Sequence, residues 1–156
     1  MTKAVLCVSL LALPGLGAPV VAQQEPSKDV QVQELLVTLK SEKPAERAAA
    51  ARILGELGPS ARDAVPDLQA ALGDPDKEVR RNAARSLGDI GKASKPAVAA
   101  LGKALKDTDP QVRQAAAYAL GRIGDPAAKP LLEAAKKDSD ENVKRAAKTA
   151  LKALKK

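Results

Sequence analysis

A chain of 156 residues, 29% of them charged, with a formal net charge of +7 and a mean hydropathy of −0.22, fits one soluble domain and excludes a bundle of membrane-spanning helices. Tyr118 is the only aromatic residue, with no Phe or Trp beside it. Any core must therefore be built from Leu, Val, Ile and Ala, which suits closely packed helices better than a sandwich or a barrel.

The first element is "MTKAVLCVSLLALPGLGAPVVA". Lys3 precedes an apolar run from Ala4 to Ala22, and Pro14, Gly15, Gly17 and Pro19 interrupt it. Residues 1–22 read as a secretory signal peptide cut after Ala22, so an exported protein, periplasmic or extracellular, is expected. Left uncut, the same stretch is about long enough to anchor the chain in a bilayer. Cys7 has only six residues before it, too few for a lipoprotein signal, and reads as one more apolar residue of the segment. Cleavage would leave no Cys and no His, hence an oxidising compartment without disulfides and stability from packing alone. Residues 23–29, "QQEPSKD", read as a disordered lead-in.

From residue 30 onward the chain repeats itself. "ERAAAARILGELG" (46–58), "VRRNAARSLGDIG" (79–91) and "VRQAAAYALGRIG" (112–124) are spaced 33 residues apart, and Leu54, Leu87 and Leu120 stand in register. Residues 30–156 divide into repeats at about 30–63, 64–95, 96–128 and 129–156, the last one two residues shorter. Each unit reads as two helices: a short one over 30–40, 64–72, 96–105 or 129–137, then a second starting near Pro44, Lys77, Pro110 or Glu141. In the second helices apolar residues recur as Val79, Ala83, Leu87 and Ile90, one stripe of a 3.6-residue period. "DPDKEVR" and "DTDPQVR" supply Asp N-caps, and the last Gly of each phrase suits a left-handed C-cap. The earlier Gly costs about 1 kcal/mol of helix propensity against Ala, which predicts a helix passing close to it.

The run D-x-x-x-V-R-x-x-A-A-x-x-L-G-x-I-G, intact over Asp76–Gly91 and Asp109–Gly124, resembles HEAT-like repeats of the phycobilisome-lyase type. The resemblance implies a right-handed α-solenoid of about four stacked two-helix HEAT-like repeats, with second helices lining the concave surface. The first repeat departs from the pattern at Lys43 and Glu46, and the fourth replaces both glycines with Lys152 and Lys155, as end caps would. Lys148 stands where Ala51, Ala84 and Ala117 stand, and burying it would carry a large desolvation penalty, so the array is expected to end at this repeat. Four repeats predict a modestly stable monomer.

Asp76–Arg80, Asp109–Arg113 and Asp140–Lys144 are spaced i,i+4 in the favourable acid-first order, so ion pairs within each helix are expected. The resemblance implies that Asp and Arg also link neighbouring repeats. Positions that vary between repeats are free of packing constraints, and they form one stripe along each second helix. Arg52, Arg81, Arg85, Gln114, Tyr118 and Arg122 are the partner-binding candidates on that stripe, with Tyr118 exposed as a contact anchor. Lys144, Lys148, Lys152, Lys155 and Lys156 form a basic cap.

No catalytic residue, metal or cofactor is nominated. Enzymes occur among HEAT-like proteins, including bilin lyases and an iron-dependent hydroxylase that looks to His-Glu pairs for its metal, whereas this chain has no His. The Asp residues fall at helix starts, where capping explains them. The expected function is a non-catalytic exported scaffold binding an unidentified protein partner. The alternative is an envelope-associated protein with weak membrane-surface contact, holding anionic lipid or glycan through the basic cap; a third reading, implied only by the family resemblance, is a lyase or oxidoreductase-type enzyme. Nucleic acid is not expected, because no aromatics are interleaved with the basic residues.

Overall fold

The structure is a computed structural model, and it describes residues 27–155. Eight α-helices follow one another: α1 (Lys28–Thr38), α2 (Pro44–Glu56), α3 (Val65–Ala71), α4 (Lys77–Ile90), α5 (Val98–Ala104), α6 (Pro110–Ile123), α7 (Lys129–Ala135) and α8 (Glu141–Ala153). Each odd helix packs on the even helix after it, and the even helices stack on one another in the order α2, α4, α6, α8. The result is an all-α solenoid of two layers. The expected signal segment lies outside the described residues. Among those described, no helix is long and apolar enough to cross a membrane.

The second helices begin where their capping residues dictate. The Asp76 carboxylate accepts the backbone N–H groups of Glu78 and Val79 at 2.9 and 3.1 Å, and Asp109 and Asp140 do the same for α6 and α8. Lys43 occupies that place in α2 and makes no side-chain cap. Gly91 and Gly124 leave α4 and α6 with φ of 76° and 72°, a backbone region that disfavours a Cβ. Three of the first helices, α3, α5 and α7, are shorter than the sequence suggests, with seven residues each. Gly58–Ala64 and Gly91–Ala97 form 3-10 turns before α3 and α5, with Pro59 and Pro96 inside them, and Pro126–Ala128 forms a third before α7. The tighter winding turns the chain between layers in few residues. Helix α1 starts at Lys28, so Lys28 and Asp29 form its first turn and do not belong to a disordered lead-in.

Leu54, Leu87 and Leu120 are fully buried, as are Val79, Val112 and Val143 on the second helices and Leu68, Leu101 and Leu132 on the first. Each such side chain contributes roughly 1.5–3 kcal/mol by leaving water. With no aromatic in the buried core, the even helices approach closely enough to touch backbones. A Cβ on Gly88 would lie 2.7 Å from Ala119 Cα, and one on Gly121 would lie 2.7 Å from Ala150 Cβ. This explains the glycine inside the last turn. At the equivalents of Ala51, Ala84 and Ala117, all fully buried, the fourth repeat exposes Lys148.

The intrahelical ion pairs expected for Arg80 and Arg113 are not made, because Asp76 and Asp109 cap their helices. Each arginine instead reaches the next repeat. Arg80 donates through Nε and Nη2 to both oxygens of Asp107 at 2.7 and 3.0 Å, while its Nη1 bonds the carbonyls of Asp74 and Pro75. Arg47 holds Asp74 and Arg113 holds Asp138 in the same two-pronged way. The fourth pair is also corrected: Lys144 bonds Glu141 at 2.5 Å, not Asp140. The three receiving carboxylates each accept a further backbone N–H two residues on, at 2.8–2.9 Å. The repeats are thus stapled in one direction along the loop edge.

Candidate functional site

Stacking α2, α4, α6 and α8 side by side leaves an open groove of about 770 Å³ along their outer face. Its lining includes Arg52 and Glu56 from α2, Arg81, Arg85 and Asp89 from α4, Gln114 and Tyr118 from α6, and Asn142 from α8. A second hollow of about 340 Å³ adjoins it between α6 and α8, and Arg122 lines this one together with Arg145, Tyr118, Gln114 and Asn142. Five of the six candidates therefore share the main groove, and Arg122 sits at its α8 end. The floor is alanine and glycine: Ala115, Gly121, Ala146 and Ala150.

The charged groups are distributed unevenly. Arg52 pairs with Glu56, Arg81 with Glu78, and Arg85 with Asp89 at 3.7 Å. Arg81 also reaches α6, donating to Gln111 Oε1 at 2.7 Å. Toward α8 no such balance holds: among the described residues Arg122 and Arg145 make no ion pair. Arg122 stands over the Tyr118 ring, 6.0 Å from its centre, and Arg145 bonds the Asn142 amide oxygen. Tyr118 is partly exposed, and its hydroxyl donates to Asp89 Oδ1 at 2.7 Å across the α4–α6 seam. Burial holds the Tyr118 phenol above its ordinary value, and Asp89 adds to that by accepting the phenol's hydrogen bond and opposing a second negative charge.

Several residues of this face escape the sequence reading. Asn82 donates to the Ala48 carbonyl at 2.9 Å, and buried Ser86 donates to the Ala51 carbonyl at 2.7 Å, tying α4 to α2 beneath the groove. Both replace apolar residues of sibling repeats, which was a usable signal. Arg145, Thr149 and Ala153 continue the variable stripe into α8, in register with Gln114, Tyr118 and Arg122. Treating the fourth repeat only as a cap hides them. The basic cap itself is dispersed. Lys144 is half-buried against Glu141, while Lys148, Lys152 and Lys155 are exposed, and none of the four lines the groove. Lys156 lies outside the described residues.

A stacked two-helix solenoid with a polar groove along its second helices defines a repeat scaffold. HEAT repeats match residues 32–100 and 92–152, and the chain belongs to that family. Among solved structures, it is similar to the complex of CpcE and CpcF of phycocyanin lyase from Nostoc sp. PCC7120, with 32% identity and a TM-score of 0.68, covering 81% of this chain and 53% of that one. Human deoxyhypusine hydroxylase in complex with glycerol is similar at 29% identity and a TM-score of 0.67, over 80% of this chain and 43% of that one. An engineered protein matches at 29% identity and a TM-score of 0.68, over 80% of this chain and 62% of its own. The chain thus spans less than two thirds of each of these three. Comparison with curated proteins gives no match.

Proposed function

We propose that the protein is an exported, non-catalytic interaction module that holds a partner protein in the second-helix groove. The observation that carries the reading is the groove itself: the second helices of four successive repeats line it with polar side chains and with Tyr118. The complex of CpcE with CpcF supports the partner-binding part of the reading, since a similar chain there assembles with another protein. The apolar segment 4–22 supports export. The test is affinity capture from the native cell envelope with wild type and with the double variant Arg81→Glu and Arg85→Glu. Both side chains lie at the surface, so helicity should stay unchanged while the captured partner is lost; retained capture would remove this face from the proposal.

A second reading rests on Lys148, Lys152 and Lys155, which are exposed and make no ion pair among the described residues. Such a patch can dock an anionic surface, and the sign of that contact is salt-sensitive binding to vesicles containing anionic lipid.

A further inference from the structure

The two ends of the groove differ in charge, and that difference specifies an occupant. Toward α2 every arginine already faces a carboxylate: Arg52 with Glu56, Arg81 with Glu78, Arg85 with Asp89. That stretch is close to neutral and offers mainly hydrogen bonds. Toward α8 the hollow between α6 and α8 collects Arg122 and Arg145, with no carboxylate among its lining residues. The amides of Gln114 and Asn142 and the Tyr118 ring surround it, and Gly121, Ala146, Ala150 and Ala153 supply its apolar part.

We infer that this hollow is an anion subsite for an extended acidic peptide: a partner carboxylate lies between Arg122 and Arg145, and the preceding uncharged residues run along the groove toward α2. This rests on the groove being the partner-binding face. Guanidinium groups hold a carboxylate through paired N–H donors, and the low alanine floor admits a backbone but few large side chains. A uniform polyanion fits worse, because Glu56 and Asp89 would oppose phosphates along the rest of the groove. The lysine cap lies off this path, which separates specific capture from general attraction to positive charge.

The probe is a fluorescent octapeptide, Ser-Ala-Ser-Ala-Glu-Ala-Glu-Ala, with its Gln-for-Glu counterpart as control, read by anisotropy at low salt. The acidic peptide should bind below about 1 mM, a weak but measurable affinity. Replacing both Glu residues by Gln, or making Arg122→Glu with Arg145→Glu, should weaken binding at least about tenfold. Lys148→Glu with Lys152→Glu should leave it within about twofold. Circular dichroism of each variant controls for folding, and Arg122→Gln with Arg145→Gln replaces the reversal if that one unfolds. No binding of the acidic peptide, equal binding of the Gln peptide, loss through the lysine variant alone, or displacement by a single-stranded oligonucleotide at lower concentration would each overturn the inference. If Arg81→Glu with Arg85→Glu abolishes capture of the cellular partner while Arg122→Glu with Arg145→Glu leaves it intact, the groove reading stands and this inference falls alone.

Discussion

Arg80 offers two carboxylates for a test, one four residues back in its own helix and one in the next repeat, and the structure gives them different work. The Arg80–Asp107 pair is bidentate, with side chains only 15% and 11% exposed. Breaking a fully buried pair costs about 3–5 kcal/mol, whereas an exposed one contributes about 1 kcal/mol or less. One edge of this pair is wet, and Arg80 keeps the Asp74 and Pro75 carbonyls when Asp107 is removed. Asp107→Ala should therefore cost about 2 kcal/mol. In a double-mutant cycle, Arg80→Ala and Asp107→Ala should couple by about 1–1.5 kcal/mol. Asp76→Ala removes only the N-cap, costs about 1 kcal/mol, and should add to Arg80→Ala within about 0.5 kcal/mol. Urea unfolding at neutral pH, followed by far-ultraviolet circular dichroism, measures all three. Coupling of Arg80 to Asp76 as strong as to Asp107 would refute the inter-repeat staple.

The staple carboxylates also predict acid sensitivity. Arg47 holds Asp74, and Arg113 holds Asp138, below the ordinary value of 3.8; burial opposes the same shift in Asp107, where the Arg80 bond and the Asp109 N–H prevail. Depressed values stabilise the fold above the unfolded-state value and lose that contribution as pH falls through the folded ones, so the urea midpoint should hold from neutrality to about pH 5 and drop below about pH 4. Asp107→Asn should flatten that drop, and an unchanged profile would contradict the assignment. Gly88→Ala gains helix propensity of about 1 kcal/mol but drives a methyl into the Ala119 backbone, an overpacking cost of about 1–3 kcal/mol. A lowered melting midpoint is expected, and a raised one would mean that the helices can separate freely. Tyr118, the sole tyrosine, gives a clean ultraviolet titration: its midpoint should lie above 10.0 and move down in Asp89→Asn, and no movement would sever the hydroxyl from Asp89.

The architecture was legible because packing writes itself into spacing. The 33-residue period, the Asp caps and the apolar stripe locate α2, α4, α6 and α8 to the residue at their starts. Ion pairing was harder to read. Within one helix Asp76 and Arg80 sit at a favourable distance; capping by Asp76 and a link between repeats were both expected, but only the stacked repeats show that the cap displaces the intrahelical pair and that Asp107 is the carboxylate that arrives alongside. The 3-10 turns were missed because Gly58–Ala64, Gly91–Ala97 and Pro126–Ala128 carry no apolar periodicity and read as links between helices, and their winding is set by the span between layers. Variability among repeats nominated Arg52, Arg81, Arg85, Gln114 and Tyr118, which line the groove, and Arg122, which lines the adjoining hollow. It says nothing of which arginines are already neutralised, since that depends on which rotamers meet across a seam.

The staples have a direction, and that makes the repeats unequal as modules. Each of Arg47, Arg80 and Arg113 grasps a carboxylate in the loop of the repeat that follows. The second and third repeats carry both halves of the joint, an Asp to receive and an Arg to extend. The first carries Ser41 where they carry Asp74 and Asp107, and the fourth carries Lys144 where they carry arginine. Copying the second or third repeat into the middle of the array would lengthen it with every joint closed. Copying the first there would leave an arginine reaching for a serine, and copying the fourth would leave an aspartate unclaimed. None of the six joint residues lines the groove. Single substitutions can accordingly change the groove lining without opening a joint, whereas each added repeat extends joints and groove together.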